Sequence, residues 1–182
     1  MLYVLLRPVK GWFWILKRNF NSNEKIIIED ILKQLYHFEN SGNKVDMKTL
    51  VQVLDFNNNR IVEAIKKMTI NDLIYFESDV LKLTETGREY ALRIVRVHRL
   101  WERYLADRTG FSKSEWHDRA ELMEHQLSHD ETEKLAAHLG NPKFDPHGDP
   151  IPTRTGKMAK VNGVELPLLA VNTIGRITHI ED

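Results

Sequence analysis

The stretch VHRLWERYLADRTGFSKSEWHDRAELMEHQL, residues 97–127, contains three histidines and six acidic residues, several of them three or four positions apart. Residues at that spacing share one face of an α-helix. His98 and Glu102 are four positions apart, and so are His117 and Glu121. Two interpretations follow: the charged residues cover solvent-exposed helix faces, or they converge on a divalent metal ion.

Both interpretations have a physical basis. On an exposed face, the histidines and glutamates would pair with Arg99, Arg103 and Arg119 of the same stretch. A metal ion instead requires convergent imidazole and carboxylate groups on rigid elements. Two helices joined by the TGFSKS turn, residues 109–114, can supply such groups. The HExxH motif of zinc metalloproteases is absent.

The composition narrows the classes of function. A chain of 182 residues suits one large domain or two small ones. It contains no cysteine, which excludes disulfides, thiolate catalysis and cysteine-ligated metal sites, and which is compatible with a reducing cytoplasm. The formal net charge is zero, so only a local basic patch could serve a nucleic-acid partner.

The segments on either side of this stretch predict a mainly α-helical chain. Two short apolar runs, LIYFE and VLKLT, predict strands joined by Ser78–Asp79. Thr84 is predicted to cap the long helix that follows, which runs to about Arg108. Helix, tight turn, helix and β-ribbon is the order of a winged helix-turn-helix. The other predicted helices cover residues 24–39, 47–54, 59–71, 114–127 and 129–139.

Three segments resemble the diphtheria-toxin-repressor family of iron- and manganese-dependent regulators: LTETGREYALRIVRVHRLWERYL, HDRAELMEHQLS and DPHGDPIPT. The resemblance covers residues 24–153 in one collinear order. It implies a winged helix-turn-helix followed by an α-helical metal-binding and dimerisation domain, with a small β-barrel often added. The predicted domains are an apolar and basic extension (1–22), the winged helix (23–88), the helical domain (89–152), and a linker with a partial strand of a truncated barrel (153–182).

Carried over residue by residue, the resemblance implies two metal sites. Iron-type members usually have a methionine at the position of Asp30 and a cysteine at that of Glu121, whereas manganese-type members have carboxylates at both, as here. Oxygen ligands suit Mn²⁺ or Fe²⁺, and other divalent transition metals can substitute. Lys33 stands where manganese-type members also use a glutamate, which argues against a second manganese ion bound in that way. The primary set is Asp30, Glu121, Glu124 and His125, and the ancillary set is His98, Glu102 and His117.

The function implied is that of a non-enzymatic, metal-dependent transcriptional regulator in the cytoplasm, a homodimer that represses metal-uptake genes. Metal binding would tie the first helix to the dimerisation helices and order the dimer for its DNA operator. Glu63 would repel phosphate, so a winged helix kept only for protein interaction is an alternative. The predicted base contacts are Asn57, Asn58, Asn59 and Arg60, and the predicted phosphate contacts are Lys66, Lys67 and Lys82.

The N-terminal segment suggests another function. LLRPVKGWFWILKRN, residues 5–19, resembles the tail that follows the last span of manganese/zinc ABC-transporter permeases. The chain would then be a cytosolic metal-sensing domain fused to such a permease, and associated with the membrane through it. A metallohydrolase is a third class, but it requires an open coordination position and a substrate cleft, and no residue pattern marks either.

Overall fold

A computed structural model describes residues 12–160, 163–164 and 166–177, with side chains from residue 23 onward. The chain divides into two units, residues 1–91 and 92–182. The predicted boundary at 88/89 and this division both fall in the first part of one long helix. The described elements are α1 (Trp12–Asn40), α2 (Met47–Val53), α3 (Asn58–Ile70), β1 (Ile74–Glu77), β2 (Val80–Leu83), α4 (Glu85–Arg108), α5 (Lys113–Glu124) and α6 (His129–His138).

The first unit has the predicted element order of a winged helix-turn-helix. Asp46 caps α2 by accepting a 2.7 Å hydrogen bond from the backbone N–H of Thr49, and Asn57 caps α3. The strands β1 and β2 pair antiparallel, with Ile74 opposite Leu83. Ser78 and Asp79, between the strands, have positive φ angles of 48° and 66°. Two such residues are typical of the tight hairpin turn that matches the twist of the strands.

The core of the first unit lies between α1, α3 and β2. The apolar stripe of α1 at Ile27, Ile31 and Leu35 is buried, with 1%, 0% and 0% exposure. Ile61 and Ile65 of α3 are buried at the same level, 0% and 2%. Each such side chain contributes about 2 kcal/mol through removal of apolar surface from water. The hydrophobic periodicity read from the sequence therefore marks the faces that hold this unit together.

Gly87, in the first turn of α4, lies against the backbone of Leu73. A Cβ atom at this position would be 1.9 Å from the carbonyl oxygen of Leu73, which also accepts a hydrogen bond from the N–H of Thr84. We expect Gly87→Ala to lower the free energy of unfolding by about 3 kcal/mol, since backbone must move to admit the methyl group. Gly110→Ala is the matched control, because a Cβ there meets nothing within 4 Å. Chemical denaturation of both variants measures the difference, and equal stabilities would contradict the proposed clash.

The second unit is built on the remainder of α4 together with α5, α6 and the loop after α6. Its buried cluster contains Leu100 of α4, Ala136 of α6 and Ile151 of the loop. Both shorter helices begin with a reciprocal capping box, Ser112 with Glu115 for α5 and Ser128 with Glu131 for α6. These caps satisfy backbone donors that a helix N-terminus otherwise leaves without partners. The ends of α5 and α6 are therefore fixed locally by the sequence.

The DPHGDP segment of the loop forms a turn organised by one carboxylate. Oδ1 of Asp145 accepts hydrogen bonds of 2.9, 3.0 and 2.9 Å from the backbone N–H groups of His147, Gly148 and Asp149. Arg99 of α4 donates a 2.7 Å hydrogen bond to the carbonyl oxygen of Pro150. An aspartate that accepts from the following backbone is a common means of closing such turns. The turn is thereby attached to α4.

The structure describes parts of both predicted terminal segments. Residues 1–11 of the predicted extension lie outside the described residues, and residues 12–22 belong to α1. The predicted C-terminal strand is not seen in residues 163–164 and 166–177, which contain one 3₁₀ turn at Leu166–Leu168, while residues 178–182 lie outside the description. Among the described residues, no helix combines the length and the apolar character that crossing a bilayer requires.

Candidate metal centre

The second unit brings together the three residues of the predicted ancillary set. His98 and Glu102 are one turn apart on α4, and His117 comes from α5. One ligand atom from each of the three lies within 4.8 Å of the others. Nε2 of His98 is 3.2 Å from Oε1 of Glu102, and Nδ1 of His117 is 3.4 Å from the same oxygen. Two imidazoles and one carboxylate that converge in this way fit the ligand preferences of a divalent transition metal.

The burial of this cluster is graded. His98 and Glu102 are buried, with 8% and 3% exposure, whereas the side chain of His117 is 55% exposed. The rings of His98 and His117 meet edge to face, with centroids 4.9 Å apart. Two ligands are therefore held rigidly by the core, and the third stands at the surface. An ion would reach the buried pair past His117.

The electrostatics of the cluster favour charged side chains in the absence of metal. Burial opposes the charged form of His98, but hydrogen bonds to Glu102 and Glu124 outweigh it and raise the pKa of His98 to about 9. Burial likewise opposes the charged form of Glu102, but hydrogen bonds from His117 and His98 lower its pKa to about 2. At neutral pH the metal-free cluster therefore contains an imidazolium that neutralises buried carboxylates.

His98 also connects the two predicted sets. Its Nδ1 donates a 2.5 Å hydrogen bond to Oε2 of Glu124, the last residue of α5, whose side chain is fully buried. Oε1 of Glu124 is 3.6 Å from Nε2 of His125. Glu124 is therefore paired with an imidazole of α4 in this structure. Sequence spacing did not reveal this link, because residues 98 and 124 belong to different helices.

The other two members of the predicted primary set are placed as follows. Oε1 of Glu121 is 3.7 Å from Nε2 of His117, and its side chain is 48% exposed. Glu121 therefore lies beside the ancillary set in this structure. Asp30 is partly buried on α1 in the first unit, and Lys33, three residues later, is buried with 6% exposure. That Asp30 completes a site with Glu121, Glu124 and His125 stays a prediction.

The sequence did not predict that one further histidine would lie near the cluster. His147 is buried, with 6% exposure, although it belongs to the loop. It interacts electrostatically with Glu102, and its ring centroid is 6.0 Å from that of Trp116. His147 comes two positions after Asp145, which forms the turn. That spacing could have predicted a position near Glu102 only if the path of the loop had been known.

The predicted DNA-contact residues are mostly at the surface of the first unit. Asn58 and Asn59 are exposed at the start of α3, but the side-chain oxygen of Asn57 is occupied as the helix cap, 3.0 Å from the N–H of Asn59. Lys67 and Lys82 form ion pairs with Glu24 and Glu77 respectively. To bind DNA, each of these lysines must break its ion pair with a carboxylate and form one with a phosphate. Arg60 is partly buried, and Lys66 is exposed.

Comparison with known proteins identifies relatives of two kinds. A family model described as "Iron dependent repressor, metal binding and dimerisation domain" matches residues 84–153. The iron-dependent repressor IdeR of Mycobacterium tuberculosis is 34% identical over 125 residues, which are 68% of this chain and 54% of that protein. A probable metal transport system membrane protein of Chlamydia trachomatis is 45% identical over 75 residues, which are 41% of this chain and 17% of that protein.

A solved structure extends the likeness over both units. A manganese-dependent transcriptional repressor in complex with manganese is 33% identical, with a TM-score of 0.74, over 85% of this chain and 72% of that one. The chain spans about half the length of the curated iron-dependent repressors that it matches. The predicted fold, a winged helix-turn-helix followed by a helical domain, is confirmed by this likeness and by the element order. The chain belongs to the diphtheria-toxin-repressor family of iron- and manganese-dependent regulators.

Proposed function

We propose that this chain is a metal-dependent, DNA-binding transcriptional regulator that responds to Mn²⁺ or Fe²⁺. In this proposal it acts in the cytoplasm as a homodimer, carries out no catalysis, and represses genes for metal uptake. The observation that supports it most directly is the convergence of His98, Glu102 and His117 within a chain that has a winged helix-turn-helix. The ligand types fit both metals, and other divalent transition metals can substitute.

The protein's part in metal binding is to hold preformed ligands and to release a proton. The buried pair, His98 and Glu102, is fixed on one face of α4, and His117 completes the set from α5. A bound ion would supply positive charge where the imidazolium of His98 now stands. Because a metal ligand must be an unprotonated nitrogen, His98 has to lose the proton on Nε2 while Nδ1 keeps its hydrogen bond to Glu124.

The second proposed set combines a residue of α1 with residues at the end of α5. Asp30 on α1 is proposed to bind an ion together with Glu121, Glu124 and His125, which are all in or next to the last turn of α5. This assignment is supported by the carboxylates at positions 30 and 121 and by the family to which the chain belongs. An ion held from both units would restrict how the winged helices of a dimer are presented to DNA. It can shift that equilibrium only by binding one arrangement more tightly than the other.

The DNA contacts are proposed to come from the N-terminal end of α3. Asn58, Asn59 and Arg60 would read base edges in the major groove, with Asn57 contributing the cap that starts the helix. The proposed phosphate contacts are Lys66, Lys67 and Lys82. Lys67 and Lys82 would have to leave their ion pairs with Glu24 and Glu77, so we expect each to add less to the salt dependence of DNA binding than Lys66 does.

A duplex selected from a random-sequence pool by the manganese-loaded protein provides the test. Fluorescence anisotropy measures binding of the protein to that duplex. We expect removal of the metal by a chelator to raise the dissociation constant by more than about tenfold. With metal present, Asn58→Ala combined with Asn59→Ala should weaken binding by about tenfold or more, because each base contact contributes about 1–3 kcal/mol. Asn40→Ala, which removes an exposed amide from the end of α1, is the control and should bind as wild type does.

Failure to select any duplex, or equal binding with and without metal across a salt series, would contradict repression. That result would favour a second candidate, a cytosolic metal-sensing domain of a metal permease. The observation behind the second candidate is the 45% identity with part of the Chlamydia trachomatis membrane protein. Sequencing the reading frame upstream of Met1 separates the two candidates further, since a permease in the same frame would support the second.

A further inference from the structure

The second unit contains a cavity of about 510 Å³ that lies outside the proposed metal sets. Its wall includes Arg96 of α4, Glu133 of α6 and, from the loop after α6, Lys143, Arg154 and Lys157. A volume of this size lies within the range of about 300–1,000 Å³ that is usual for small-molecule sites. The cavity is therefore large enough for a compact organic ligand.

Arg96 forms the buried part of the wall. Its Nε and Nη2 each donate a 3.1 Å hydrogen bond to the carboxylate of Glu133, and its Nη1 donates a 2.6 Å bond to the carbonyl oxygen of Pro152. Glu133 thus neutralises Arg96 and fixes its orientation. These bonds use three of the five guanidinium N–H groups, so two remain available in a side chain that is only 10% exposed.

The cations of the rim have no carboxylate partner among the residues that the structure describes. Lys143 and Lys157 are exposed and form no ion pair with any residue that the structure describes. Arg154 donates a 3.0 Å hydrogen bond to Nε2 of His129 and forms no ion pair with a described carboxylate. The formal net charge of the whole chain is zero, so this local excess does not reflect a generally basic protein. Clustered cations around a concave surface attract anions.

The part of the loop that carries the rim is held in one conformation. The N–H of Thr153 donates a 2.7 Å hydrogen bond to the carbonyl oxygen of Lys157, whose own N–H bonds to the hydroxyl of Thr153 at 3.0 Å. Gly156 has a φ of +75° and packs against Leu92. Arg154 and Lys157 are thus presented from a closed turn, which reduces the entropy that ligand binding would cost.

The floor of the cavity is apolar. Ile151 is buried with 3% exposure, and Met158 and Ala159 are partly buried beside it. A cationic rim over an apolar floor fits a ligand with two parts, an anionic group and a compact apolar or planar body. Three rim cations favour a group with more than one negative charge, and a phosphate monoester carries about −1.5 to −2 at neutral pH.

We propose that this cavity binds a small organic phosphate, with the phosphate on Lys143, Lys157 and Arg154 and the remainder on the floor formed by Ile151 and Met158. Nucleotides and sugar phosphates share this chemistry. This site would be distinct from both proposed metal sets. The proposal does not depend on the proposed regulatory function, because the cavity lies within one unit and none of its lining residues is a proposed metal ligand.

Isothermal titration of the metal-free full chain with inorganic pyrophosphate and with adenosine diphosphate tests the proposal. We expect dissociation constants between about 10 µM and 1 mM. Lys143→Ser combined with Lys157→Ser should weaken both by about tenfold, since both side chains are exposed and the fold does not need them. Lys44→Ser combined with Lys48→Ser removes the same charge from exposed positions of the first unit and should leave binding unchanged. The amide resonances of Gly156 and Ala159 should shift in NMR spectra.

Each outcome of these titrations either supports the proposed site or contradicts it. Tighter binding of adenosine diphosphate than of pyrophosphate supports the site, because it shows that the organic part adds affinity on the floor. Equal or tighter binding of pyrophosphate contradicts the proposed contact between the organic part and the floor. Absence of binding by the wild type, or equal binding by the lysine variant, overturns it. Citrate binding as tightly as pyrophosphate, or adenosine as tightly as its diphosphate, overturns the phosphate assignment. Displacement of pyrophosphate by duplex DNA, with the same lysine dependence, would instead make the cavity part of a DNA-contact surface.

Discussion

Glu102→Gln is expected to abolish one of two metal-binding events per chain, and Asp30→Asn to abolish the other. Glu102 is the carboxylate that forms the cluster with His98 and His117, and its Oε1 lies 3.2 Å from Nε2 of His98 and 3.4 Å from Nδ1 of His117. Glutamine has the same shape but lacks the negative charge. We expect the affinity of Mn²⁺ for this cluster to fall by about a hundredfold or more. Anaerobic calorimetry, with bound metal counted by elemental analysis, gives the stoichiometry.

Asp107→Asn is the matched control for both variants. Asp107 lies on α4 like Glu102, but its side chain is 39% exposed and pairs with Arg103 at 2.8 Å. Its loss should leave both binding events unchanged. Retention of two ions by Glu102→Gln would refute the cluster as a metal site, and retention by Asp30→Asn would refute the assignment that places Asp30 with Glu121, Glu124 and His125. The two assignments therefore fail separately.

Metal affinity at the cluster should rise steeply with pH. In the metal-free protein the pKa of His98 is raised to about 9, so its imidazole is protonated at neutral pH and must lose a proton to become a ligand. About one proton should be released per ion at pH 7, and affinity should increase about tenfold per pH unit between pH 6 and 8. The raised pKa of His117 acts in the same direction. Calorimetry in buffers of different ionisation enthalpy measures the released protons.

Affinity that is flat between pH 6 and 8 would contradict this competition. Substituting Glu102→Gln also serves as the internal check, because it removes a hydrogen bond that raises the pKa of His98. Any ion that still binds weakly to this variant should therefore release less than one proton at pH 7. A variant with unchanged proton release would show that Glu102 does not hold the imidazolium.

His98 and Glu102 set the pH range over which the metal-free cluster stabilises the fold. The folded pKa of His98, about 9, is above its ordinary value of 6.5, so its contribution is complete below about pH 6.5 and is lost as pH rises through 9. The folded pKa of Glu102, about 2, is below its ordinary value of 4.5, so its contribution is complete above about pH 4.5 and is lost as pH falls through 2. Both contributions are therefore complete between about pH 4.5 and pH 6.5.

The sequence by itself determined most of the helices and strands and the types of side chain that could bind a metal. Helical periodicity predicted most of the ends of α1, α3 and α4 to within a few residues, because the apolar faces of these helices must be buried. The upstream end of α1 was missed, since it lies well before the predicted start at residue 24. Spacing put His98 and Glu102 on one face of one helix, which is a local property that the 3.6-residue repeat fixes.

Only the tertiary structure decided which side chains meet across elements. The distance from His98 to Glu124, the nearness of His147 to Glu102, and the cavity beside Arg96 all join residues far apart in the chain. Such contacts depend on how helices and loops pack, which residue spacing along one element does not encode. The protonation of His98 follows for the same reason, because it balances burial against carboxylates contributed by two different helices.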